Sequence, residues 1–371
     1  MRSLRWKGMA LLALSATAAL GCGGAGFDPQ EKIKGLRILA VEKDKPYPAP
    51  GDDVELKLLY WDGKSTETDR RKIQVGFVTC APNPPADLYY NCRPVLSSTS
   101  LQVGPQAAGA ADAGTDAATG DSDADADAAN GNAGGGGVGD SDHTHTYRVK
   151  IPAESDVPPN ILHKAAEGPD YGLVYVLYAV CAGTLEFKPD QRTNEPPIGC
   201  VDGDKKLGPG DFVTGYTSIY VYRERRNANP ILDDLKLNGI SLKGSTALDE
   251  KDLPKVPRCK GGDCGLDIEV NVSEESAEPD PSAKNPDGRP LQEQIWAAYY
   301  TTSGGFKSSL RLVNDATTGR NTQQSTKYDV PSEPGPVRIW SVVHDNRGGV
   351  AWIEGRIMIV DMVDMIADRD L

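Results

Sequence analysis

Residues 337–360 read VRIWSVVHDNRGGVAWIEGRIMIV, and this stretch decides the fold class. Two apolar runs rich in Val, Ile and Trp, residues 337–343 and 350–360, flank the segment Asp345-Asn346-Arg347-Gly348-Gly349. β-Branched and aromatic side chains favour strands, and Asn and Gly accept the positive φ angles of tight hairpin turns. The stretch therefore predicts a long β-hairpin whose two aromatic-rich strands anchor the core of a β-sandwich.

Other segments of the second half also have strand patterns. Apolar residues recur at every second position in 266–272, and branched or aromatic residues are common in 295–300 and 309–313. An acidic, Pro-rich stretch, residues 273–290, lies between them and is expected to be a long surface loop. Together with the hairpin, these strands predict one β-sandwich over residues 230–361, followed by a short tail, 362–371.

The first half predicts a second sandwich of the same kind. Residues 54–60 follow a nearly clean period of two, and 171–180 (YGLVYVLYAV) are apolar almost throughout, which is typical of a central strand buried on both faces. Shorter strand patterns occupy 36–41, 73–79 and 217–222. Pro- and Gly-rich turns separate the runs, and the sequence has no helical periodicity. We therefore predict a first sandwich over residues 33–226.

A segment of different composition interrupts the first sandwich. Residues 104–142 are dominated by Ala, Gly and Asp, with eight Asp and no Lys, Arg or aromatic residue. Such a segment cannot bury enough apolar surface to offset the entropy of ordering it, so we expect a disordered insertion in a loop. The fold can tolerate a long loop, because the closure entropy grows only logarithmically with loop length.

The charge balance excludes one class of partner. The chain has 53 acidic and 40 basic side chains, which gives a formal net charge of −13. No cluster of Lys and Arg forms a basic stripe. We therefore expect no nucleic-acid partner.

The N-terminus predicts export and a lipid anchor. A basic start precedes the apolar run 9–20, which is too short to span a bilayer but has the length of a signal-peptide core. The end of the run, Ala19-Leu20-Gly21-Cys22, resembles the lipobox of bacterial lipoproteins, which implies removal of residues 1–21 and lipidation of Cys22. The alternative is an ordinary secretory signal that happens to end near a cysteine.

The lipoprotein resemblance also implies a location. Several acyl chains on one residue would hold the chain on a membrane, which makes the membrane its expected partner. Residues 22–32 begin with Gly23-Gly24-Ala25-Gly26 and are expected to form a flexible tether. In the sorting systems resembled here, Gly rather than Asp at position 23 implies the outer membrane. We expect a protein anchored by lipid to the cell envelope, on the periplasmic or surface face of that membrane.

The cysteines predict three disulfides. Setting Cys22 aside, the other six fall into close pairs: Cys80 with Cys92, Cys181 with Cys200, and Cys259 with Cys264. Disulfides persist in exported proteins, and of the fifteen connectivities that six cysteines allow we predict this local one. Cross-links over such short loops stabilise by roughly 3 kcal/mol each, and by less for the tightest loop. The alternative is a zinc site, but the sequence has no C-x-x-C and no adjacent His.

Two stretches resemble known families of extracytoplasmic proteins. Residues 34–41 together with Pro50-Gly51-Asp52 are similar to the opening of uncharacterised lipoproteins of myxobacteria and their relatives. Residues 343–349 are similar to the junction of the last two strands in bacterial immunoglobulin-like and PKD-like domains. The resemblance implies an all-β chain with two immunoglobulin-like β-sandwich domains in tandem. It implies no activity and no functional residues.

Two segments suggest metal binding at first sight. Residues 121–127 (DSDADAD) are similar to a calcium loop, but the EF-hand spacing puts Ala126 and Asn132 where Gly and a bidentate Glu are needed. His143 and His145 lie two residues apart at the edge of the insertion and would need further ligands. We expect a solvated linker and incidental exposed histidines, with no metal and no cofactor.

No set of residues predicts an enzyme. His344 precedes Asp345 where the hairpin turns, and the Asp345 carboxylate is expected to cap that turn. A Ser-His-Asp mechanism lacks the G-x-S-x-G elbow, and only His163 and His344 remain as bases within the predicted folded regions. We therefore expect no enzymatic activity.

Two functions remain open. The first is a non-enzymatic binding or structural protein of the envelope, with an unidentified protein or glycan partner. The second is a carbohydrate-binding or calcium-stabilised adhesion module. The second is suggested by aromatic residues that could be exposed but could equally fill the core: Tyr89, Tyr90, Tyr299 and Tyr300.

Overall fold

Regular structure in this chain consists almost entirely of β-strands. The computed structural model describes residues 29–66, 69–81, 92, 102–103, 143–154, 161–165, 168–187, 198–285 and 287–362. Within these ranges the longest helical elements are three short 3-10 turns, at Ser245–Ala247, Glu250–Asp252 and Glu274–Ser276. The all-β class predicted from the sequence is confirmed.

The first sandwich packs a three-stranded sheet on a four-stranded one. The strands in this part of the chain are β1 (Leu36–Lys43), β2 (Asp53–Asp62), β3 (Gln74–Cys80), β4 (Gln102–Val103), β5 (Thr144–Lys150), β6 (Gly172–Cys181), β7 (Thr184–Phe187), β8 (Ile198–Asp202), β9 (Lys205–Lys206) and β10 (Phe212–Val221). The two sheets have the orders β1-β2-β5 and β10-β6-β3-β4. With the strands lettered along the chain, these are A-B-E and G-F-C-C′, the arrangement of an immunoglobulin-type Greek key.

The core of the first sandwich follows from alternation along its strands. Val54, Leu56 and Leu58 of β2 are fully buried between the sheets, as the period of two predicts. The connection from β6 to β10 carries a small three-stranded sheet of β7, β8 and β9. The Ala/Gly/Asp stretch lies outside the described residues, and β4 and β5 of the first sandwich flank it, as expected of an insertion.

The second sandwich repeats the same order of strands. Its strands are β11 (Leu232–Leu237), β12 (Ile240–Ser241), β13 (Lys255–Pro257), β14 (Gly265–Val272), β15 (Pro279–Lys284), β16 (Pro290–Gln292), β17 (Ile295–Thr301), β18 (Gly305–Phe306), β19 (Leu310–Asp315), β20 (Gly319–Arg320), β21 (Thr326–Asp329), β22 (Gly335–Asp345) and β23 (Val350–Val360). The sheets are β12-β11-β14-β21-β18 and β13-β23-β22-β17-β19-β20. Strands β11, β14 and β21 thus face β23, β22, β17 and β19, again A-B-E against G-F-C-C′. The predicted tandem of two sandwiches is confirmed.

The predicted hairpin is the longest strand pair of the chain's described part, and both of its faces are buried. Val337, Ile339 and Val343 point into the core of the second sandwich. Trp340 and Val342, on the opposite face, are also buried, with Trp340 only 1% exposed. The second apolar face needs a partner outside its own sandwich.

That partner is the outer face of the β1-β2-β5 sheet in the first sandwich. The side chains buried here form the interdomain layer, which consists of Ile33, Leu39, Ala40, Leu59, Trp340, Val342 and Val350, with Trp61, Tyr300 and Trp352 around them. The register of β1 on β2 shifts between Ile38 and Ala40, and this bulge leaves Leu39 as an extra residue that packs in the layer. Trp61 and Trp340 meet with ring centroids 5.0 Å apart. The two sandwiches therefore share an apolar interface.

The chain entering the first sandwich is bound to the second one. Ile33 N donates to Thr301 O at 3.0 Å, and Thr301 N donates to Glu31 O at 2.9 Å. The flexible tether predicted for residues 22–32 is therefore wrong at its end, because residues 31–33 are hydrogen-bonded to β17. The signal segment, Cys22 and the Gly-rich start of the tether lie outside the described residues.

The linker between the sandwiches is also hydrogen-bonded on both sides. Asn229 Nδ2 donates to Lys43 O of the first sandwich at 2.7 Å. Asn229 Oδ1 accepts from Val350 N of the second at 3.0 Å. A single asparagine thus connects the end of β1 to the start of β23, directly beside the interdomain layer.

The structure contains the three disulfides predicted from the local cysteine pairs. They link Cys80 to Cys92, Cys181 to Cys200, and Cys259 to Cys264, with Cα–Cα distances of 5.6, 5.7 and 5.7 Å. The long surface loop expected over residues 273–290 is wrong in part. It contains a 3-10 turn and the antiparallel pair of β15 with β16.

We predict that Trp340→Ala destabilises the whole chain by about 3–5 kcal/mol, because it leaves a cavity in the interdomain layer. Chemical unfolding followed by tryptophan fluorescence and circular dichroism measures the change. Leu310→Ala is the matched control: Leu310 is 58% exposed, and its loss should cost no more than about 0.5 kcal/mol. A loss below about 1 kcal/mol for Trp340→Ala would show that the layer contributes little.

Candidate functional site

The outer face of the β10-β6-β3-β4 sheet carries a row of tyrosines. On β10, Ile219 and Val221 are fully buried in the core, so the alternating residues Tyr216, Ser218 and Tyr220 lie on the opposite face. Tyr216 is 55% exposed and Tyr220 is 42% exposed. Two large aromatic side chains on one strand are therefore open to solvent.

The neighbouring strand β6 extends this row into a patch. Tyr175 lies diagonally across from Tyr216 on the neighbouring strand. The two rings meet edge to face, with their centroids 5.8 Å apart. Tyr171, just before β6, lies 6.0 Å from Tyr220. These four residues form what we name the tyrosine face. Tyr is enriched in binding surfaces, because it offers a rigid apolar ring with a polar hydroxyl.

Four other tyrosines were candidates from the sequence, and they differ in where the structure places them. Tyr89 and Tyr90 lie outside the described residues. The proposal that Tyr299 is exposed is wrong: it is 1% exposed, and its hydroxyl accepts from Val270 N in the core. Tyr300 is half-buried beside the interdomain layer. The sequence does contain a signal for the tyrosine face, since the period of two in β10 places Tyr216 and Tyr220 opposite Ile219.

A cleft adjoins the tyrosine face where the two sandwiches meet. It has a volume of about 260 Å³ and lies between the loop after β1, the outer face of β10 and the β22–β23 turn. Its lining includes Lys43, Tyr47, Ser218, Tyr220, Tyr222 and Asn346. Tyr220 belongs to both the cleft and the tyrosine face, so the two form one continuous surface.

Lys43 lines this cleft and is almost completely buried. Its residue is 4% exposed, and its Nζ donates to Ser218 O at 3.2 Å. It forms no ion pair with any carboxylate in the described part of the chain. Burial lowers the pKa of Lys43 to about 8, although the nearby Asp345 carboxylate opposes the shift.

The other buried cation that lines the cleft, Arg347, is paired with two carboxylates. Arg347 donates through Nε to Glu293 and through Nη2 to Glu278, the latter at 2.8 Å. Burial raises the pKa of Glu293 to about 7, against the effect of Arg347. Arg225, outside the cleft, lies over the rings of Tyr47 and Tyr222 and pairs with Asp280 at 3.2 Å. Both arginines therefore have carboxylate partners, unlike Lys43.

Asp345 caps the β22–β23 turn, as the sequence predicts. Its Oδ1 accepts from Arg347 N at 2.7 Å and from Gly349 N at 2.8 Å, and its Oδ2 accepts from Asn227 of the linker at 3.0 Å. A Cβ at position 349 would lie 2.1 Å from Asp345 Oδ2, so the turn needs glycine there. The cap therefore connects the turn to the linker.

The histidines lie in separate places. The expectation that His145 is exposed is wrong: it lies in β5, is 8% exposed and stacks on Phe77, with its pKa lowered by burial. His143, just before β5, packs on Trp61 with ring centroids 4.0 Å apart. His344 stacks on Trp296, and His163 is in an isolated bridge with Tyr171. Among the described residues, no three His, Cys, Asp or Glu side chains are grouped as a metal site requires.

A second cleft of about 250 Å³ opens at the other end of the interface. Trp61, His143, Thr302 and Arg338 contribute to its lining. The Arg338 guanidinium lies 4.8 Å from the Trp61 ring centroid and pairs with Glu354. The positive charge of Arg338 is therefore already balanced by the Glu354 carboxylate and lies against the face of the Trp61 ring.

The calcium-like run 121–127 and Cys22 lie outside the described residues. None of the helical turns in the ranges described above has the length and apolar character that crossing a bilayer requires.

Comparisons with known proteins give no family. No protein-family model matches the chain, and no curated protein matches it. Solved structures with similarity include Escherichia coli alpha-2-macroglobulin activated by porcine elastase (TM-score 0.21, 8% identity, 91% of this chain and 23% of that chain). They also include the fibronectin(III)-like modules of Clostridium thermocellum CbhA (TM-score 0.19, 9% identity, 87% and 95%). Dimeric latent PorU from Porphyromonas gingivalis has a TM-score of 0.18 at 10% identity, with 88% and 24% covered.

This chain spans about a quarter of the alpha-2-macroglobulin chain or less. Scores at this level support no argument about function. The assignment of two immunoglobulin-type sandwiches therefore rests on the strand order within each sheet.

We predict that Asp345→Ala destabilises the chain by more than about 2 kcal/mol. It leaves three donors without their acceptor, and a buried unsatisfied donor costs about 1–3 kcal/mol. Asp315 offers a matched control, because its Oδ1 caps a solvent-accessible turn by accepting from Thr317 N and Thr318 N, both at 2.9 Å. Chemical unfolding should show a loss of about 1 kcal/mol or less for Asp315→Ala. Equal losses for the two variants would contradict the role of Asp345 at the junction.

Proposed function

We propose that this chain is a lipid-anchored, non-enzymatic protein of the bacterial envelope whose tyrosine face binds a glycan partner. The observation that carries the binding role is the pair of exposed tyrosines, Tyr216 and Tyr220, on a sheet whose other face is the core of the sandwich. A rigid sheet holds the rings in place, so little side-chain entropy is lost when a partner binds.

The envelope location is supported by two independent features. The chain contains three disulfides. Disulfides are typical of exported proteins, because the cytoplasm keeps thiols reduced. Cys22 is the one cysteine without a partner among the local pairs, and it follows a signal-like apolar run. Lipidation of Cys22 explains both its position and the odd cysteine count.

A glycan is favoured over a calcium-stabilised adhesion role. Sugar rings present flat C–H faces that pack on aromatic rings, and their hydroxyls bond to nearby polar groups. The tyrosine face offers rings with Ser218 between Tyr216 and Tyr220 along the strand. Along a strand these two tyrosines lie about 13 Å apart. This spacing suits contact with two separate, non-adjacent sugars of one oligosaccharide.

We expect the mature chain to begin at Cys22 and to carry acyl chains. Expression of the full precursor in a Gram-negative bacterium, followed by intact-mass measurement of the membrane fraction, tests this. Cys22→Ser should release the protein from membranes, because one tether residue carries all the acyl chains. A mature chain beginning at Cys22 without added acyl mass would refute the anchor.

We expect Tyr216→Ala/Tyr220→Ala to reduce binding to purified envelope polysaccharide at least about tenfold, since interface aromatics commonly contribute more than 1 kcal/mol each. The matched control is Ile240→Ala/Leu310→Ala, which removes two exposed apolar side chains of the second sandwich, 54% and 58% exposed. Co-sedimentation with the insoluble polysaccharide gives the affinity. Equal binding by both double variants and the unmodified chain would exclude the tyrosine face as the glycan site.

A further inference from the structure

The cleft beside the tyrosine face contains an unusual charge. Lys43 is 4% exposed, and its Nζ bonds only to one backbone carbonyl, Ser218 O, among the described residues. Burying an ammonium group is costly unless an anion lies against it. Asp345 is the described carboxylate whose charge acts on the pKa of Lys43, and its oxygens already accept from two backbone amides and Asn227. An anion entering the cleft would supply the missing partner.

The surroundings of Lys43 set the charge of that anion. Among the described residues that line the cleft, the only other cation is Arg347, which two glutamates already match. The cleft therefore offers one positive charge to a ligand. A carboxylate carries one negative charge, whereas a phosphate monoester carries about 1.5 to 2 at neutral pH. The carboxylate is the better match.

The rest of the cleft sets the chemistry around the carboxylate. Tyr47 and Tyr222 meet at 4.7 Å between ring centroids in its wall, and Tyr220 lies at its mouth. Asn346, which is exposed, and the Ser218 backbone add polar groups. Aromatic walls with a few polar groups suit a ring that has both C–H faces and hydroxyls. At about 260 Å³, the cleft has room for one sugar unit.

We propose that this cleft binds the carboxylate of an acidic sugar, with Lys43 as its counter-ion and Tyr220 as the ring contact that connects it to the tyrosine face. The inference rests on the proposed glycan-binding function and names the class of sugar. The acidic unit would occupy the cleft, and the following units would run along β10 towards Tyr216. Lys43 remains protonated at neutral pH, since its pKa, lowered by burial, still lies at about 8.

Calorimetric titration of the folded chain with an oligomer of galacturonic acid tests the inference. The comparison ligand is the same oligomer with its carboxylates methyl-esterified, which keeps the rings and removes the charge. We expect the acid to bind at least about tenfold more tightly than the ester, a difference of about 1.4 kcal/mol. Equal affinities would overturn the proposal.

Three variants locate the effect. Lys43→Gln should abolish the preference for acid over ester, and Tyr220→Ala should weaken both ligands. Lys307→Gln, which removes an exposed lysine of the second sandwich, should change neither. If Lys43→Gln folds and keeps the preference, the proposal is wrong.

Because Lys43 is buried, its substitution can impair folding, so a second measurement uses the unmodified chain. Amide chemical-shift mapping with the acid oligomer should show the largest changes near Lys43, Tyr220 and Asn346. Changes confined to other surfaces would contradict the site.

A peptide with a free C-terminal carboxylate separates sugar from peptide recognition. Binding of that peptide, dependent on Lys43 and without binding of the uronate oligomer, would overturn the sugar assignment. Failure of the uronate oligomer, with tyrosine-dependent binding to envelope polysaccharide retained, would remove this inference and leave the proposed function in place.

Discussion

The rest of the structure depends on one constraint: the β1–β2 sheet and the β22–β23 hairpin are each apolar on both faces. One face of each packs into its own sandwich, and alternation along the strands leaves Leu59 and Trp340 pointing away from those cores. Contiguous apolar faces are unfavourable when they are exposed to water. The interdomain layer buries both faces at once, so each sandwich completes the burial of the other.

This packing also determines where polar groups of the two sandwiches and the linker meet. With the layer formed, the β22–β23 turn lies against the end of β1 and the outer face of β10. The linker residue Asn229 then bonds to both sides, and Asp345 caps the turn while accepting from Asn227. The turn helps to cover Lys43, with Gly348 close to its Nζ. The cleft beside the tyrosine face is therefore a product of the interface and belongs to neither sandwich alone.

Local patterns in the sequence were enough for the fold class. The strands around Leu56, Val176 and Ile339 were predictable because their side chains alternate or are continuously apolar, and the cysteine pairs were predictable from their spacing. β5 was missed although Tyr147 and Val149 alternate with polar residues, because it adjoins the long insertion and its histidine suggested exposure.

The candidate site was harder to predict for a physical reason. A period of two shows which residues share a face of a sheet but not whether anything covers that face. Tyr299 and Tyr216 both lie in strand segments that contain several apolar or aromatic residues, yet one fills a core and the other faces solvent. Lys43 has the pattern of a strand-end surface lysine, and its burial depends in part on a turn some three hundred residues further along the chain. In β2, Leu59 and Trp61 are apolar although Glu55 and Lys57 on the same face are charged, and this change is a local sign of a second buried face.

The interdomain layer joins the two sandwiches into one cooperative unit. Differential scanning calorimetry of the disulfide-intact chain measures this cooperativity. We expect a single transition whose calorimetric and van't Hoff enthalpies agree, because neither sandwich can unfold without exposing the apolar face of the other. Two separate transitions, each with the enthalpy of one sandwich, would contradict it.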